Sequence, residues 1–374
     1  MKKNKPYVPK EFPPKNIDWG YLISLISEAN RKIGYFDGVL KSLVNPEVFL
    51  APLITKEAVL SSRIEGTQAT YEDVVKVEGG VITPDLTESK IEDVKEIINY
   101  RKALIHGEEE LKRRPLSLSL VKEIHKILLS GVRGTNRLLG EFRRTQNWIG
   151  TRGTPIDNAR FVPPDPVALP TYLSEWEAFL KRDDFQDRLV QAAILHAQFE
   201  ILHPFEDGNG RTGRILIPLF LYWKNILSKP AFYMSEYFEE NRSEYYDKLL
   251  YVTEKDDWNG WITFFLEAVI EQSRRNHVRA TKLISLYNES KEKFIEATHS
   301  EHAIHALDTF FKKPILDTPA FAEMMKIPRR SAIALLNKLL EQKLITIYKQ
   351  SKGSRPAVYA FCEVINIVED RLVC

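Results

Sequence analysis

One stretch of this chain, His203-Pro204-Phe205-Glu206-Asp207-Gly208-Asn209-Gly210-Arg211-Thr212-Gly213-Arg214, gathers a titratable base, a carboxylate, a glycine-rich turn and two arginines. These residue types suit a phosphate site. Gly208 and Gly210 can take positive φ and turn backbone N–H groups inward, where successive N–H groups make an anion-binding nest. A helix starting near Arg211 adds its N-terminal dipole and its unbonded N–H groups. Arg211 and Arg214 share one face of that first turn, and their planar forks match phosphate oxygens. Asp207 would repel a phosphate unless a cation lies between them. Mg2+ suits that place, held by one carboxylate, phosphate oxygens and water. His203, at the edge of the loop, can take a proton from an incoming nucleophile.

The elements that position these groups are helical in period. An apolar, alanine-containing segment, 189–202, runs into the stretch, and a second, 215–223, leaves it, so the layout is helix, tight loop, helix. That layout weighs against rival chemistries. Gly208-Asn209-Gly210-Arg211-Thr212-Gly213 satisfies G-x-G-x-x-G, but a dinucleotide fingerprint needs a strand before it. The Walker pattern fails, since no Gly-Lys-Ser/Thr follows. A metal hydrolase built on His196, His203 and Asp207 lacks a familiar ligand spacing. A plain glycine turn with solvated arginines does not explain why His, Asp, Asn and two Arg crowd together.

The stretch resembles the signature H-P-F-x-D-G-N-G-R-x-x-R of the Fic family, matched at every defined position. The resemblance implies a mainly helical core and AMP transfer from ATP to a Ser, Thr or Tyr hydroxyl of a target protein. It implies His203 as general base and Asp207 as the Mg2+ ligand. Asn209 and the loop N–H groups, with Gly208, Gly210, Thr212 and Gly213, would hold the α-phosphate side, and Arg211 and Arg214 the β- and γ-phosphates. Ser61-x-x-x-Glu65-Gly66 is similar to the family's inhibitory motif. There the glutamate pairs with the second motif arginine, here Arg214, and Ser61 helps seat the helix. The glutamate can also position water for removal of AMP. The resemblance extends over roughly residues 116–266, with the inhibitory helix as a detached extra piece.

Around this core the chain divides into recognisable textures. Its 374 residues exceed one typical domain. A hydrophobic content of 44%, 28% charge and a net charge of +2 are ordinary for a globular protein and give no global field. Cys362 and Cys374 do not make a disulfide framework, which fits a reducing cytosol. No signal peptide and no apolar run of membrane-spanning length is evident, so a cytoplasmic protein is expected. Residues 1–19, with Pro6, Pro9, Pro13 and Pro14, read as an extended arm wrapping a surface. Helices are expected over 21–43, 49–63, 71–77, 84–100, 116–129, 169–180 and 232–250, with Gly66 as a C-cap. His125 reads as a satisfied packing histidine. The stretch 140–164 lacks helical period and reads as a hairpin. Within the resemblance it is the flap, whose backbone edge pairs with the target, with Trp148, Ile149 and Gly150 near its tip. The adenine-contacting tyrosine that the resemblance implies is best matched by Tyr246.

A long helical stretch from Trp258 leads to a C-terminal region with helices over 303–311, 318–325 and 328–342 and β-rich segments at 344–348 and 357–361. Three helices and a hairpin look like a winged helix-turn-helix. Pro328-Arg329-Arg330-Ser331 would open its recognition helix, and Lys349, Lys352 and Arg355 would lie on its wing. The fold class is therefore mainly α, a Fic-type core with a small hairpin flap, followed by that domain. The expected division is 1–110 as an N-terminal helical region, 111–270 as the catalytic core, 271–300 as a linking helix and 301–374 as the last domain. Two other functions stay open: a nucleotide-sensing regulator that binds DNA through the C-terminal domain, or a Fic enzyme that transfers another phosphate-containing group or removes AMP. A homodimer is a further open partner.

Overall fold

The computed structural model describes residues 5–373 apart from 82, 85, 133–137, 151–152, 154 and 352–355. Among them no helix is long and apolar enough to cross a membrane. The chain forms two compact units, each assembled from separated segments. The first comprises Met1–Asp37 and Asn99–Arg274, and the second Gly38–Ile98 and Arg275–Cys374. This grouping differs from the linear division read from the sequence. Helices α1 (Trp19–Ser42), α4 (Glu88–Leu111) and α11 (Trp258–Thr298) each run from one unit into the other. Helical pattern continues through those boundaries, so composition alone does not mark them.

In the first unit the core is a helix pair, α7 (Arg188–Leu202) and α8 (Asn209–Trp223). Every residue from Leu189 to Leu202 except Glu200 is buried, as is every residue from Asn209 to Leu221. A helix apolar all round belongs at the centre of a bundle. Asp187 caps α7, its carboxylate accepting from the N–H groups of Leu189 and Val190 at 2.9 Å each. Two indoles fix its middle. Trp176 of α6 (Leu169–Lys181) donates to the Leu195 carbonyl at 2.9 Å, and Trp261 of α11 donates to the Ala193 carbonyl at 2.8 Å. Helix α5 (Leu118–Leu128) covers α8 and is capped by Ser117. The aromatic segment after α8 is two helices, α9 (Ser235–Glu240) and α10 (Arg242–Lys255), broken at Asn241. The N-terminal arm lies along the first unit as expected: the Tyr7 N–H donates to Val162 at 2.9 Å, and Phe12 meets Phe179 edge-on.

The second unit joins α2 (Pro46–Ile64) and α3 (Tyr71–Glu78) to the C-terminal elements. These are α12 (Ala303–Lys312), β1 (Ile315–Asp317), α13 (Thr318–Met325), α14 (Arg329–Glu341), β2 (Thr346–Lys349), β3 (Val358–Ala360) and α15 (Cys362–Glu369). The sheet is antiparallel in the order β1-β3-β2. The expected helices and hairpin are present, but β1 and α15 were not expected from sequence. Three residues are too few to show an alternating pattern, and β1 is recognisable only by its pairing with β3. Cys362 begins α15, and Cys374 lies outside the described residues. Helix α2 is built into this unit. Phe49 packs edge-on against Tyr287 and Phe311, and the Lys56 ammonium donates to the Val368 carbonyl at 2.7 Å. Tyr348 of β2 donates to Glu72 of α3 at 2.6 Å.

Candidate active site

Helix α7 ends at His203, whose φ of 46° and ψ of 58° are left-handed. That conformation costs a non-glycine residue roughly 1–2 kcal/mol, so the surroundings must impose it. The ring Nδ1 lies 3.4 Å from the Glu200 carbonyl. A carbonyl only accepts, so this contact places the proton on Nδ1 and the proton-accepting role on Nε2.

The loop that follows is braced from within. Asn209 accepts from the Phe205 N–H and donates to the Phe205 carbonyl, both at 2.8 Å, and is 2% exposed. Its side-chain amide therefore closes the loop, leaving its backbone N–H for the phosphate side. The Thr212 hydroxyl likewise donates within the loop, to the Gly208 carbonyl at 2.8 Å. Gly213 serves packing: a Cβ there would meet Glu200 Oε1 at 2.4 Å across the α7–α8 contact. Gly208 has φ 74°, as the turn demands. His125 lies flat on Phe205, with ring centroids 3.7 Å apart. Its Nδ1 accepts from the Gly140 N–H at 3.0 Å, so its Nε2–H donates to the Asp207 carbonyl at 2.9 Å. Burial, and then the charge of Arg211, push its pKa down to about 3. It is the satisfied packing histidine expected, and it also carries the loop.

The opening of the loop has the expected polarity. The N–H of Thr212 bonds to Gly208 at 3.0 Å, so the N–H groups of Asn209, Gly210 and Arg211 precede the first intrahelical donor and face the helix start. Asp207 keeps a carboxylate that is 40% exposed, 4.0 Å from the Arg211 guanidinium. Its Oδ1 accepts from the Gly208 N–H at 2.8 Å. Arg211 and Arg214 are 5% and 2% exposed. They serve different neighbours. The charge of Arg211 acts on His125, and that of Arg214 on His196, whose pKa burial and then Arg214 push down to about 3. His196 lies in an aromatic cluster and meets the Tyr245 hydroxyl at 2.9 Å. His196 and His203 are not brought together as ligands, and among the described residues no group of three or more metal-binding side chains occurs. Asp207 would thus hold Mg2+ with phosphate oxygens and water, as its single part-exposed carboxylate fits.

Tyr245 is buried in the aromatic cluster, whereas Tyr246 is half-buried with the Arg160 guanidinium over its ring at 5.8 Å. Arg160, next to the flap's Phe161, thus lies against Tyr246. Among the described residues of the flap segment, one antiparallel bridge joins Ile149 and Phe161. Ile149 donates to Phe161 and accepts from Arg160, both at 2.8 Å. Trp148, next to it, is 43% exposed.

The segment Ser61–Gly66, which resembles an inhibitory motif, lies in the second unit. Helix α2 closes on Glu65, with the Gly66 N–H donating to Arg63 at 2.9 Å and the Thr67 N–H to Ser62 at 3.2 Å. This is a Schellman end with Gly66 left-handed at φ 103°, and Ser61 is fully buried.

Sequence reasoning missed two residues at the root of the flap. Arg143, 3% exposed, donates through its guanidinium to the carbonyls of Leu202, His203, Pro164 and Thr145. Asn147 donates to the Phe205 carbonyl at 3.0 Å. An arginine beside an aromatic in a segment without helical period was visible, but not which arginine is buried.

Two family profiles match this chain in tandem: Fic/DOC family N-terminal over residues 23–109 and Fic/DOC family over residues 115–221. The chain belongs to the Fic/DOC family. Within the second match lie the flap, α7, the loop and most of α8. A probable protein adenylyltransferase of Aquifex aeolicus is 37% identical over 73 residues, covering 20% of this chain and 23% of that protein. The protein adenylyltransferase Fic of Culex quinquefasciatus is 30% identical over 143 residues, covering 38% of this chain and 25% of the relative. The chain thus spans about a quarter of the length of these curated relatives. A Fic family protein from Desulfovibrio desulfuricans G20 has a similar fold, with a TM-score of 0.57 at 18% identity, covering 96% of this chain and 98% of that one. Fic-1 of C. elegans (residues 134–508) has a TM-score of 0.52 at 20% identity over 71% of this chain and 75% of its own.

Proposed function

We propose that this Fic protein is a protein adenylyltransferase that moves AMP from ATP to a Ser, Thr or Tyr hydroxyl of a target protein. The observation that carries this is the loop itself: a base at the C-cap of α7, and one turn later the N-terminal N–H groups of α8 with two arginines and an exposed carboxylate. Relatives named protein adenylyltransferase support the same reading. In the reaction the target oxygen attacks the α-phosphorus of ATP in line, and the bond to the bridging oxygen of pyrophosphate breaks. His203 Nε2 takes the hydroxyl proton. The loop N–H groups hold the α-phosphate, and Arg211 and Arg214 meet the charge that develops on the leaving pyrophosphate. Mg2+ on Asp207, when bound, would neutralise phosphate charge. The flap aligns the target by strand addition beside Ile149, and Tyr246 offers a ring face for adenine. Glu65 restrains the enzyme by pairing with Arg214, with Ser61 seating α2. The protein works in the cytoplasm.

One observation favours a second role. The start of α14 leaves Arg329 and Arg330 exposed, as a helix reading the major groove would. Lys349 lies on β2, whereas Lys352 and Arg355 lie outside the described residues. The C-terminal helices and hairpin would then be a winged helix that binds DNA.

The test uses α-labelled and γ-labelled ATP in parallel with Mg2+, on the protein and its Glu65→Gly and His203→Ala variants. The expected outcome is label from α-ATP only, raised by Glu65→Gly and cut at least ~100-fold by His203→Ala, as for loss of a general base. Label from γ-ATP alone would make the protein a kinase. No label from any variant would sink the transferase reading.

A further inference from the structure

The catalytic helix ends in an electrostatic problem. A histidine at the C-cap of α7 sits at the negative end of the helix dipole, beside carbonyls with no intrahelical donor. That environment favours imidazolium, the form that cannot accept a proton. A left-handed residue there also needs its peptide groups held. One side chain meets both demands.

Arg143 grips the chain on both sides of His203. Its backbone N–H donates to the Pro204 carbonyl at 2.8 Å. Its Nε donates to the His203 carbonyl at 2.9 Å, and one Nη reaches the Leu202 carbonyl at 3.4 Å and the Pro164 carbonyl at 2.5 Å. The other Nη reaches the Thr145 carbonyl at 3.3 Å. Three successive carbonyls, Leu202, His203 and Pro204, are thus bound by a single residue. All these partners are neutral main-chain groups, and Asp165 acts on Arg143 only at a distance. Among the described residues its guanidinium bonds only to carbonyls, Pro164 the shortest at 2.5 Å and His203 at 2.9 Å, so its field is not cancelled by a paired carboxylate and reaches the peptide group of His203. Burial lowers its pKa to about 10, which leaves it charged at neutral pH.

We propose that Arg143 is the positioning residue of the reaction: it fixes the left-handed turn at His203 and opposes the helix dipole so that the imidazole stays neutral and able to accept the proton. This rests on His203 as the general base. The fork supplies the geometry and the charge supplies the bias. Lysine can keep the second but not the first. The remaining charged and titratable groups of the loop and its flanking helices are Arg188, His196, Glu200, Glu206, Asp207, Arg211 and Arg214, with His125 of α5 against the loop and Asp165 beyond the flap, and all are unchanged in the variants below.

The experiment reads His203 directly. Full-length protein with isotopically labelled histidine is titrated by NMR, with the His203 signal assigned from His203→Gln, in the native chain, Arg143→Gln and Arg143→Lys. Label transfer from α-ATP is measured on the same samples across pH. In Arg143→Gln the His203 pKa is expected to rise by about 0.5–1 unit. The acid limb of kcat should move with it, and kcat should fall at least ~10-fold while KM for ATP stays within about twofold. In Arg143→Lys the pKa is expected to match the native value while kcat still falls. Identical His203 titration in Arg143→Gln and native protein, or unchanged kcat in Arg143→Lys, would overturn the proposal. If Arg143→Gln does not fold, Arg143→Lys decides by the same two readouts. Because the NMR titration needs no turnover, a shifted His203 in a protein that transfers no label would sink the transferase reading and leave the coupling of Arg143 to His203 standing.

Discussion

At the scale of single residues, the site depends on groups used for support. His125 and His196 are both neutral in the folded chain, each pushed down to about 3 from an ordinary value of 6.5. The unfolded chain therefore binds more protons as pH falls. The stability these groups allow is complete above pH 6.5 and is lost progressively between 6.5 and 3. Each should cost about 1.4 kcal/mol per pH unit below that point. Thermal melts at pH 7 and pH 5 should show this as a large drop, smaller in His125→Gln. Asn209 is the second test. Phe205 is fully buried; its N–H donates to the Asn209 amide oxygen, and its carbonyl accepts from both Asn209 and Asn147. Asn209→Ala is expected to destabilise the first unit by about 2 kcal/mol, as the buried Phe205 N–H loses its partner while the carbonyl keeps Asn147. Label transfer should fall with it even where the melt shows the chain still folded. An Asn209→Ala protein with native stability would show that the amide is not the brace of the loop.

Among the elements, the flap is joined to the end of α7 and the loop after it at its root through Arg143 and Asn147, while among the described residues farther out one bridge, Ile149 to Phe161, pairs its two sides. A short hairpin fixed at its base can present its edge without disturbing the nucleotide loop. Ile149→Pro removes the N–H that donates to Phe161 at 2.8 Å and should break the bridge. The expected result is ATP affinity within about twofold of native and transfer to a target reduced ~10-fold or more, since alignment of the nucleophile is lost. Equal losses in binding and transfer would show instead that the flap shapes the nucleotide site. The elements themselves were largely legible. Apolar periodicity placed α7 and α8, and Gly66 marked the end of α2; the start of α5 could be read as capped by Ser117 or Ser119, and the structure caps it with Ser117. The break at Asn241 was not legible, because the aromatic pattern runs across it; nor was β1, which exists only through β3.

For the whole molecule, the chain passes between its two units three times, and α2 with Glu65 belongs with the C-terminal helices. Phe311 is fully buried between Phe49, Tyr287 and Phe361. Phe311→Ala should destabilise the second unit by about 4 kcal/mol through the cavity it leaves. It should also loosen α2, so basal label transfer should rise toward that of Glu65→Gly. Calorimetry and α-ATP labelling on one sample check both, and a destabilised second unit with unchanged transfer would separate α2 from control of the site. What the sequence determined by itself was the chemistry of the loop and the helices that flank it. A signature of contiguous residues and a 3.6-residue apolar period are local properties that one chain spells out. What the tertiary structure alone decided was which polar side chains support and which can act. Asn209 and Thr212 turned inward, Arg143 became a buried cation on His203, and α2 joined the far end of the chain. Those outcomes depend on burial and on carbonyls brought together from distant segments, which no local pattern encodes.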